Sequence, residues 1–315
     1  MALDHFVSQV HLRNFYSPAL GERLYAVRKS DGKSFAPNSE SICRIEAGST
    51  NAYLTNDRAI EEFLKGVEPK YNAAARKLAQ GQIDPEVIYV IAGFISYILS
   101  CSPTAMRLHT ASLEAILRTS ARALDAAGAF PEVPEALGSK SLTELLGTGA
   151  VQLKVDPKYP QAVGISNTLK MVLTLGNSAW EVLKNPFTDS PFFTSDYPDA
   201  IEDSGDPRVV NHIVPLTPFV AIRILPDISL RRDQLDFTFG RHRFRQRQLA
   251  RDELLAVNRL LVQCAEDLVL YRDDHPWVKA FIAKYSAYYV ETVIQELPTS
   301  GETLVVAQQK IVRKR

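Results

Sequence analysis

The sequence is poor in cysteine, and the few cysteines it has are widely separated. Three occur among 315 residues, at Cys43, Cys101 and Cys264. An odd number at this spacing excludes a disulfide framework and a zinc-binding cysteine set. Cys101 and Cys264 fall in apolar helical patterns, which is typical of small core residues. We therefore expect a reducing compartment, the cytoplasm.

An excess of charge of either sign is also missing, since 36 basic residues are balanced by 36 acidic ones. This balance argues against a protein that coats nucleic acid or membrane through bulk charge, and it leaves local patches open. The most apolar stretch, residues 87–101, is shorter than the ~20 residues of a membrane-spanning helix. The N-terminus lacks the basic and long apolar parts of a signal peptide. We expect a buried core helix at 87–101 and no association with membrane.

Several catalytic sequence motifs are absent. The chain has no phosphate-loop signature, no GxGxxG, no HExxH, no pair of CxxC motifs and no GxSxG. Enzyme classes that depend on these motifs are therefore disfavoured.

The chain changes from helical to extended patterns along its length. Residues 55–130 are helix-rich and residues 190–250 are strand-rich, an order that favours an α+β fold over alternating βαβ units. We predict a mainly helical core with a smaller mixed or antiparallel sheet, built from an N-terminal hairpin and strands of the C-terminal half. Prolines and glycines at 129–160 mark a weak internal boundary. Because the flanking helices are too apolar to stand alone, we predict a single domain over residues 1–315.

Two local expectations concern the ends of helices. Pro69, which lies just past Gly66, predicts a break between helices at 59–65 and 71–78. The apolar periodicity of residues 169–182 predicts one further helix.

The first candidate site is in the N-terminal segment. His5, Gln9 and Arg13 are four positions apart, a spacing that on a helix aligns a titratable ring, an amide and a fixed cation along one face. Such a row suits the binding of a phosphate or a carboxylate. The alternative is that His5 and Gln9 satisfy backbone groups while Arg13 lies in solvent.

The second candidate site is the segment 192–198, Phe-Phe-Thr-Ser-Asp-Tyr-Pro. An apolar strand leads directly into Thr194, Ser195 and Asp196, and a proline ends it. At the end of a strand, a rigid scaffold can present a carboxylate to a pocket. The alternative is an Asx or Ser turn in which Asp196 binds local backbone.

The third candidate site is a row of four arginines at every second position, Arg241, Arg243, Arg245 and Arg247. On a strand all four face one side, opposite Phe244, and their planar donor groups could follow a line of phosphates. The alternative is a solvated strand face or a row of internal ion pairs with acidic residues of the chain.

The remaining histidines include His11 and His212, and none has a metal-ligand partner at a recognisable spacing. We interpret each as a satisfied core or surface group.

Four short blocks in this order make the sequence resemble the bacterial domain-of-unknown-function family 4238. They are His5 followed by Leu12-Arg13-Asn14-Phe15, the Thr-Ser-Asp segment 192–198, Pro-Leu-Thr-Pro at 215–218, and Asn258 with Gln-Cys-Ala at 263–265. The resemblance covers roughly residues 4–272. Ser8 stands where the family usually has proline, and Tyr197 where it usually has asparagine. The resemblance implies no activity.

Two functions follow from these candidates. The first is a nucleic-acid-acting, nuclease-like hydrolase of phosphodiester bonds in RNA or DNA. In it His5 is the general acid or base, Asp196 binds a divalent metal or orients His5, and the arginines hold phosphates. The second is a non-enzymatic binding or interaction module in which the same polar residues are structural. A phage-defence or mobile-element role is compatible with either.

Overall fold

The computed structural model describes residues 3–314 except 132–137, 139, 232, 234 and 299–302. The helices of the described residues are α1 Gln9–Arg13, α2 Ala59–Ala79, α3 Pro85–Cys101, α4 Pro103–Ala126, α5 Leu142–Gly147, α6 Lys158–Ser166, α7 Thr168–Gly176, α8 Arg251–Cys264 and α9 Val278–Tyr285. The strands are β1 Leu3–His5, β2 Tyr25–Arg28, β3 Ser34–Phe35, β4 Arg44–Glu46, β5 Ala179–Lys184, β6 Thr194–Ser195, β7 Ala200–Asp203, β8 Val210–Thr217, β9 Val220–Leu225, β10 Arg243–Gln248, β11 Leu268–Tyr271, β12 Tyr288–Pro298 and β13 Thr303–Arg313.

Helix α3 forms the centre of the helical core, as its apolar sequence predicts. The Asp84 carboxylate accepts a hydrogen bond from the Val87 amide at 2.8 Å, and Pro85 occupies the first turn, so the start of the helix is well defined. Nearly every residue from 87 to 101 is buried, and helices α2, α4, α6 and α7 pack around them. Among the described residues, no single helix combines the length and apolar composition needed to cross a membrane.

The largest sheet has five strands in the order β10-β5-β9-β8-β7. Strands β10 and β5 are parallel and the other pairs are antiparallel. One face packs on the helical core through Trp180, Val182 and Ile222, and the other packs on α8 through Leu183 and Ala221. The sheet therefore packs against helices on both faces.

A second sheet has the order β3-β2-β11-β6 and joins the N-terminal hairpin to strands of the C-terminal half. The N-terminal hairpin β2–β3 pairs with β11, which in turn pairs with β6. The predicted α+β class, with a sheet built from the N-terminal hairpin and C-terminal-half strands, is confirmed. The prediction of a single domain stays a prediction, and residues 132–137 and 139 of the expected boundary lie outside the described residues.

Both expectations for helix ends were wrong. Helix α2 runs without interruption through Pro69, because its buried face continues in register from Ile60 and Leu64 to Tyr71 and Leu78. Packing of this stripe outweighs the backbone hydrogen bond that proline cannot make. The predicted helix at 169–182 ends instead at Gly176, and residues from 179 onward form β5.

Candidate functional site

The N-terminal residues converge, although not on one helix. His5 lies at the end of β1, so its predicted helical alignment with Gln9 and Arg13 was wrong. The three residues nevertheless surround Ser39. His5 Nε2 lies 3.0 Å from the Ser39 carbonyl, and Arg13 Nε donates to Ser39 Oγ at 3.4 Å. Arg13 Nη2 also donates to Gln9 Oε1 at 3.0 Å. Loop residue Ser39, which the sequence did not single out, is therefore the centre of this group.

The Thr-Ser-Asp segment is buried and fully engaged in hydrogen bonds. The Asp196 carboxylate accepts from the backbone amides of Glu266, Asp267 and Leu268, at 2.9, 2.8 and 2.9 Å. Burial raises the pKa of Asp196 to about 6 against the opposing effect of these amides. The neighbouring Ser195 Oγ accepts from the Tyr197 amide at 3.1 Å. This geometry is that of a carboxylate which fixes the turn between α8 and β11.

His11 joins the N-terminal segment to the Thr-Ser-Asp segment. Its Nε2 lies 2.7 Å from Thr194 Oγ1 and its Nδ1 lies 2.8 Å from Tyr71 Oη, while its ring stacks on Phe94 at 5.0 Å between centroids. The side chain is fully buried, and burial lowers its pKa to about 3, so the ring is neutral. In the part of the chain that the structure describes, no hydrogen bond or ion pair joins His5 to Asp196. The two segments meet through His11 and Thr194 instead.

The other blocks of the resemblance also hold backbone in place. Buried Asn258 accepts from the Phe193 amide at 3.1 Å and donates to the Pro191 carbonyl at 2.9 Å. Asn14 Nδ2 donates to the Leu216 carbonyl at 3.2 Å. Each of these amides fastens one block to another, which accounts for polar residues inside an apolar core.

The arginine row is shorter than predicted and is paired with acids. Strand β10 begins at Arg243, so Arg241 precedes it. Arg245 Nε donates to Glu181 Oε1 at 2.8 Å. Arg247 Nη1 lies 2.9 Å from Glu253 Oε1. Arg243 Nη2 lies 3.6 Å from Asp227 Oδ2. Three of the four predicted phosphate-binding arginines therefore have acidic partners.

Glu181 is the buried centre of this charged row. It lies opposite Arg245 on one side and Arg223 on the other, and Arg223 Nη1 donates to it at 2.8 Å. Burial raises the pKa of Glu181, but hydrogen bonds from both arginines outweigh it and leave the pKa below its ordinary value. Arg223 also lies 3.0 Å from Glu202 on β7. The row of ion pairs thus crosses the sheet from β10 to β7.

Sequence reasoning missed a pair formed by Asp199 and His212. Asp199 immediately precedes β7, and the antiparallel register of Ile201 opposite His212 brings the two side chains together. His212 Nδ1 lies 2.9 Å from Asp199 Oδ2. Asp199 is fully buried, and 14% of the His212 side chain is exposed. Asp199 and His212 are 13 residues apart, a spacing that matches no known motif. Only a correct prediction that β7 pairs with β8 could have brought the two residues together.

The electrostatics of His212 differ from those of a neutral core histidine. Burial lowers its pKa, but the Asp199 carboxylate raises it by charge and by hydrogen bonding, and the net pKa lies above the ordinary value. The Tyr197 hydroxyl donates to the same carboxylate at 3.5 Å. Within the described residues, His212 Nε2 has no hydrogen-bond partner.

A cavity of about 1200 Å³ opens beside His212. It lies between the β7–β8 hairpin, α8 and β13, and we call it the groove. Its polar lining includes His212, Glu202, Arg223, Arg247, Arg259 and Gln309. Across the described residues, no group of three His, Cys, Asp or Glu side chains is arranged to hold a metal ion. The groove therefore offers a carboxylate-paired imidazole among basic side chains and the carboxylates of Glu202, Asp203, Asp206 and Glu253.

Comparison with known proteins adds a family and no activity. A family model described as "Protein of unknown function (DUF4238)" matches residues 4–275, which is most of the chain. No curated protein and no solved structure matches the chain.

Proposed function

The chain belongs to the DUF4238 family, and we propose that it is a hydrolase of phosphodiester bonds in nucleic acid whose general base is His212. One observation carries this proposal. A histidine at the wall of a large groove is held through Nδ1 by a buried carboxylate, while its Nε2 has no partner among the described residues. This is the arrangement of an oriented base.

The pair supports proton transfer in a definite direction. Asp199 accepts a hydrogen bond from the Nδ1–H of His212, which leaves the lone pair of the neutral ring on Nε2. Nε2 can then take a proton from an attacking hydroxyl or water, and Asp199 stabilises the resulting imidazolium. Because Asp199 raises the pKa of His212, the free base is the major form only above the ordinary pKa of histidine. The rate is therefore expected to rise with pH through a value above 6.5.

Cations of the groove support an anionic substrate. Arg223 and Arg247 are held by acidic partners, so their guanidinium groups are fixed in direction. Arg259 and Lys310 line the same groove, and neither has an ion-pair partner in the described part of the chain. They are available to phosphate oxygens. Since the whole chain has a net charge of zero, binding depends on this local set and should weaken with salt.

The test compares two histidines with one assay. The purified protein is incubated with fluorescently labelled RNA and DNA, with Mg²⁺, with Mn²⁺ and with a chelator. His212→Gln is expected to lower the cleavage rate by about 10²- to 10⁴-fold. His275→Gln, which lies outside the groove lining, is the matched control and should retain the parent rate.

Asp199→Asn should lower the rate as well, because the amide no longer stabilises the imidazolium. Equal rates for His212→Gln and the parent protein would remove the proposal. A loss of activity in His5→Ala and Asp196→Ala, with His212→Gln fully active, would instead support the site predicted from the sequence.

A second candidate is the non-enzymatic binding module. It is favoured by the engagement of Asp196 with three backbone amides and by the buried bond between His11 and Thr194. In a binding module, the four blocks of the family resemblance only assemble the core. The groove then binds nucleic acid without cleaving it. Binding of nucleic acid without cleavage under every metal condition would favour it.

A further inference from the structure

The C-terminal half of α4 has its apolar side in solvent. Given the helical repeat, six of its positions fall within an arc of about 120°, and we call this arc the stripe: Leu113, Ile116, Leu117, Ser120, Ala123 and Leu124. Leu113 is partly exposed and the others are exposed, with Ile116 at 51%, Leu117 at 46% and Leu124 at 48%. None of these residues is charged, so the stripe is an apolar surface with a single hydroxyl.

The charged side of the same helical half faces the rest of the protein. Glu114 Oε1 accepts from the Val155 amide at 3.2 Å. The Asp125 carboxylate accepts from the amides of Leu142 and Thr143, at the start of α5, at 3.3 and 2.8 Å. A surface helix normally has the reverse arrangement, with its apolar side on the core and its charges in solvent. The inverted arrangement is typical of a helix whose apolar side is covered by another molecule.

The spacing of large and small residues in the stripe fits a second copy of the same helix. A two-fold axis through Ser120, perpendicular to α4, sets two copies of the helix antiparallel and pairs positions equally far from Ser120. Leu117 then faces Ala123 and Leu113 faces Ala127, so these leucines meet small residues, while the remaining pair joins two large side chains. Helices pack closely when large and small side chains alternate across facing positions. Because the stripe is uncharged, pairing it with itself opposes no like charges.

The accessible surface of the chain is large enough for such a contact. It is 15648 Å², about 2,500 Å² more than a compact monomer of 35.1 kDa is expected to expose. A stable dimer of ordinary size buries roughly 800 Å² from each partner. The excess surface is therefore larger than one such interface would cover.

We propose that the stripe is the interface of a homodimer, in which α4 of one copy packs antiparallel against α4 of a second copy about Ser120. This inference goes beyond the proposed function and does not depend on it. The leucines of the stripe leave water when the copies associate, and the two Ser120 side chains meet at the two-fold axis.

The mass in solution is tested first, by sedimentation equilibrium at micromolar concentrations. The parent protein is expected to sediment at about twice 35.1 kDa. Leu117→Glu should raise the dissociation constant of the dimer by at least about 100-fold, because each copy would bury an unpaired charge. Leu169→Glu, at a position of α7 that is 51% exposed, is the matched control and should keep the parent mass. A parent protein that sediments at 35.1 kDa throughout overturns the inference.

The geometry is tested second, with Ser120→Cys. A two-fold axis at this position brings the two Cα atoms within the ~4.4–6.8 Å that a disulfide requires. The oxidised variant should therefore run as a dimer on a non-reducing gel and as a monomer after reduction. Arg118→Cys, exposed on the other side of the helix, is the matched control and should run as a monomer. The native cysteines are buried, so they do not cross-link the parent protein.

Two results would overturn the assignment of the interface to the stripe. One is a dimer that Leu117→Glu leaves intact. The other is a dimer that Ser120→Cys fails to cross-link, which is decisive even if the glutamate variant does not fold.

Discussion

His11, which is fully buried, and His212, which is partly exposed to the groove, both have oxygen partners, and their environments suit opposite roles. His11 is bonded through both ring nitrogens to neutral hydroxyls and lies in the apolar core, where burial lowers its pKa to about 3. His212 is bonded through one nitrogen to a carboxylate and lines a groove, and its pKa is raised. The first ring is kept neutral and has no accessible nitrogen. The second ring has one nitrogen, Nε2, without a hydrogen-bond partner among the described residues, and its pKa lies above the ordinary value.

The difference shows that burial alone does not decide what a polar residue does. Desolvation disfavours the charged form of both rings. Only the Asp199 carboxylate, itself buried, reverses the effect at His212. His11 and its partners Tyr71 and Thr194 assemble the core, and the chemistry proposed for the molecule lies in the groove beside β8.

The largest effect expected from this comparison is on stability at His11. His11→Ala removes the ring that stacks on Phe94 and leaves the Tyr71 and Thr194 hydroxyls buried without partners. We expect the free energy of unfolding to fall by about 3–5 kcal/mol. Chemical denaturation of the variant and the parent protein measures it. A loss under about 1 kcal/mol would mean that the hydrogen bonds and ring stacking of His11 do not stabilise the core.

Asp196→Ala should have the next largest effect. The variant removes the acceptor of the amides of Glu266, Asp267 and Leu268, and a loss of about 2–4 kcal/mol is expected. The pH dependence has a definite sign. Because the folded pKa of Asp196 is raised from 3.8 to about 6, its contribution to stability is present below pH 3.8 and is lost as the pH rises to about 6.

Comparison of denaturation at pH 4 and pH 7 in the parent protein and in Asp196→Asn isolates this contribution. The asparagine variant should lack the part of the pH dependence that falls between 3.8 and about 6. The same slope in both proteins would show that Asp196 titrates at its ordinary value.

His212→Gln should cost less stability than His11→Ala, about 1 kcal/mol, because His212 reaches the groove and its loss leaves only Asp199 to rearrange. Its raised pKa contributes stability that is present below pH 6.5 and is lost as the pH rises through the folded pKa. Denaturation curves between pH 5 and 9 should therefore differ in slope between this variant and the parent protein. If His212→Gln lost more stability than His11→Ala and cleaved at the parent rate, His212 would be the structural histidine of the two.

The smallest effect is expected at the exposed end of the arginine row. Arg243→Gln breaks a pair at 3.6 Å in which the arginine side chain is 75% exposed, so stability should change by less than about 0.5 kcal/mol. Arg223→Gln is the matched variant, because it removes an arginine paired with the buried Glu181. It should lower the free energy of unfolding several times more than Arg243→Gln does. Equal losses from the two variants, measured by denaturation, would show that the row is a solvated face.

The sequence predicted elements better than it predicted contacts. The core helix at 87–101 and the α+β class follow from composition and periodicity, which are local properties. Pro69 and the start of β5 were misassigned because tertiary packing of α2 and of Trp180 outweighed local preference. The Asp199–His212 pair was invisible because it depends on the register of β7 and β8. His5 was favoured over His11 because of its spacing from Gln9 and Arg13 and because it lies in the first block of the family resemblance.

An NMR titration of both histidine rings in one isotope-labelled sample tests the separate roles of His11 and His212 most directly. We expect His11 to stay neutral from pH 5 to 8 and His212 to titrate above 6.5. Asp199→Asn should move the pKa of His212 below 6.5, because burial then acts alone, and should leave His11 unchanged. Titration of His11 in this range, or a His212 that titrates below 6.5 in the parent protein, would contradict the assignment of one ring to structure and the other to chemistry.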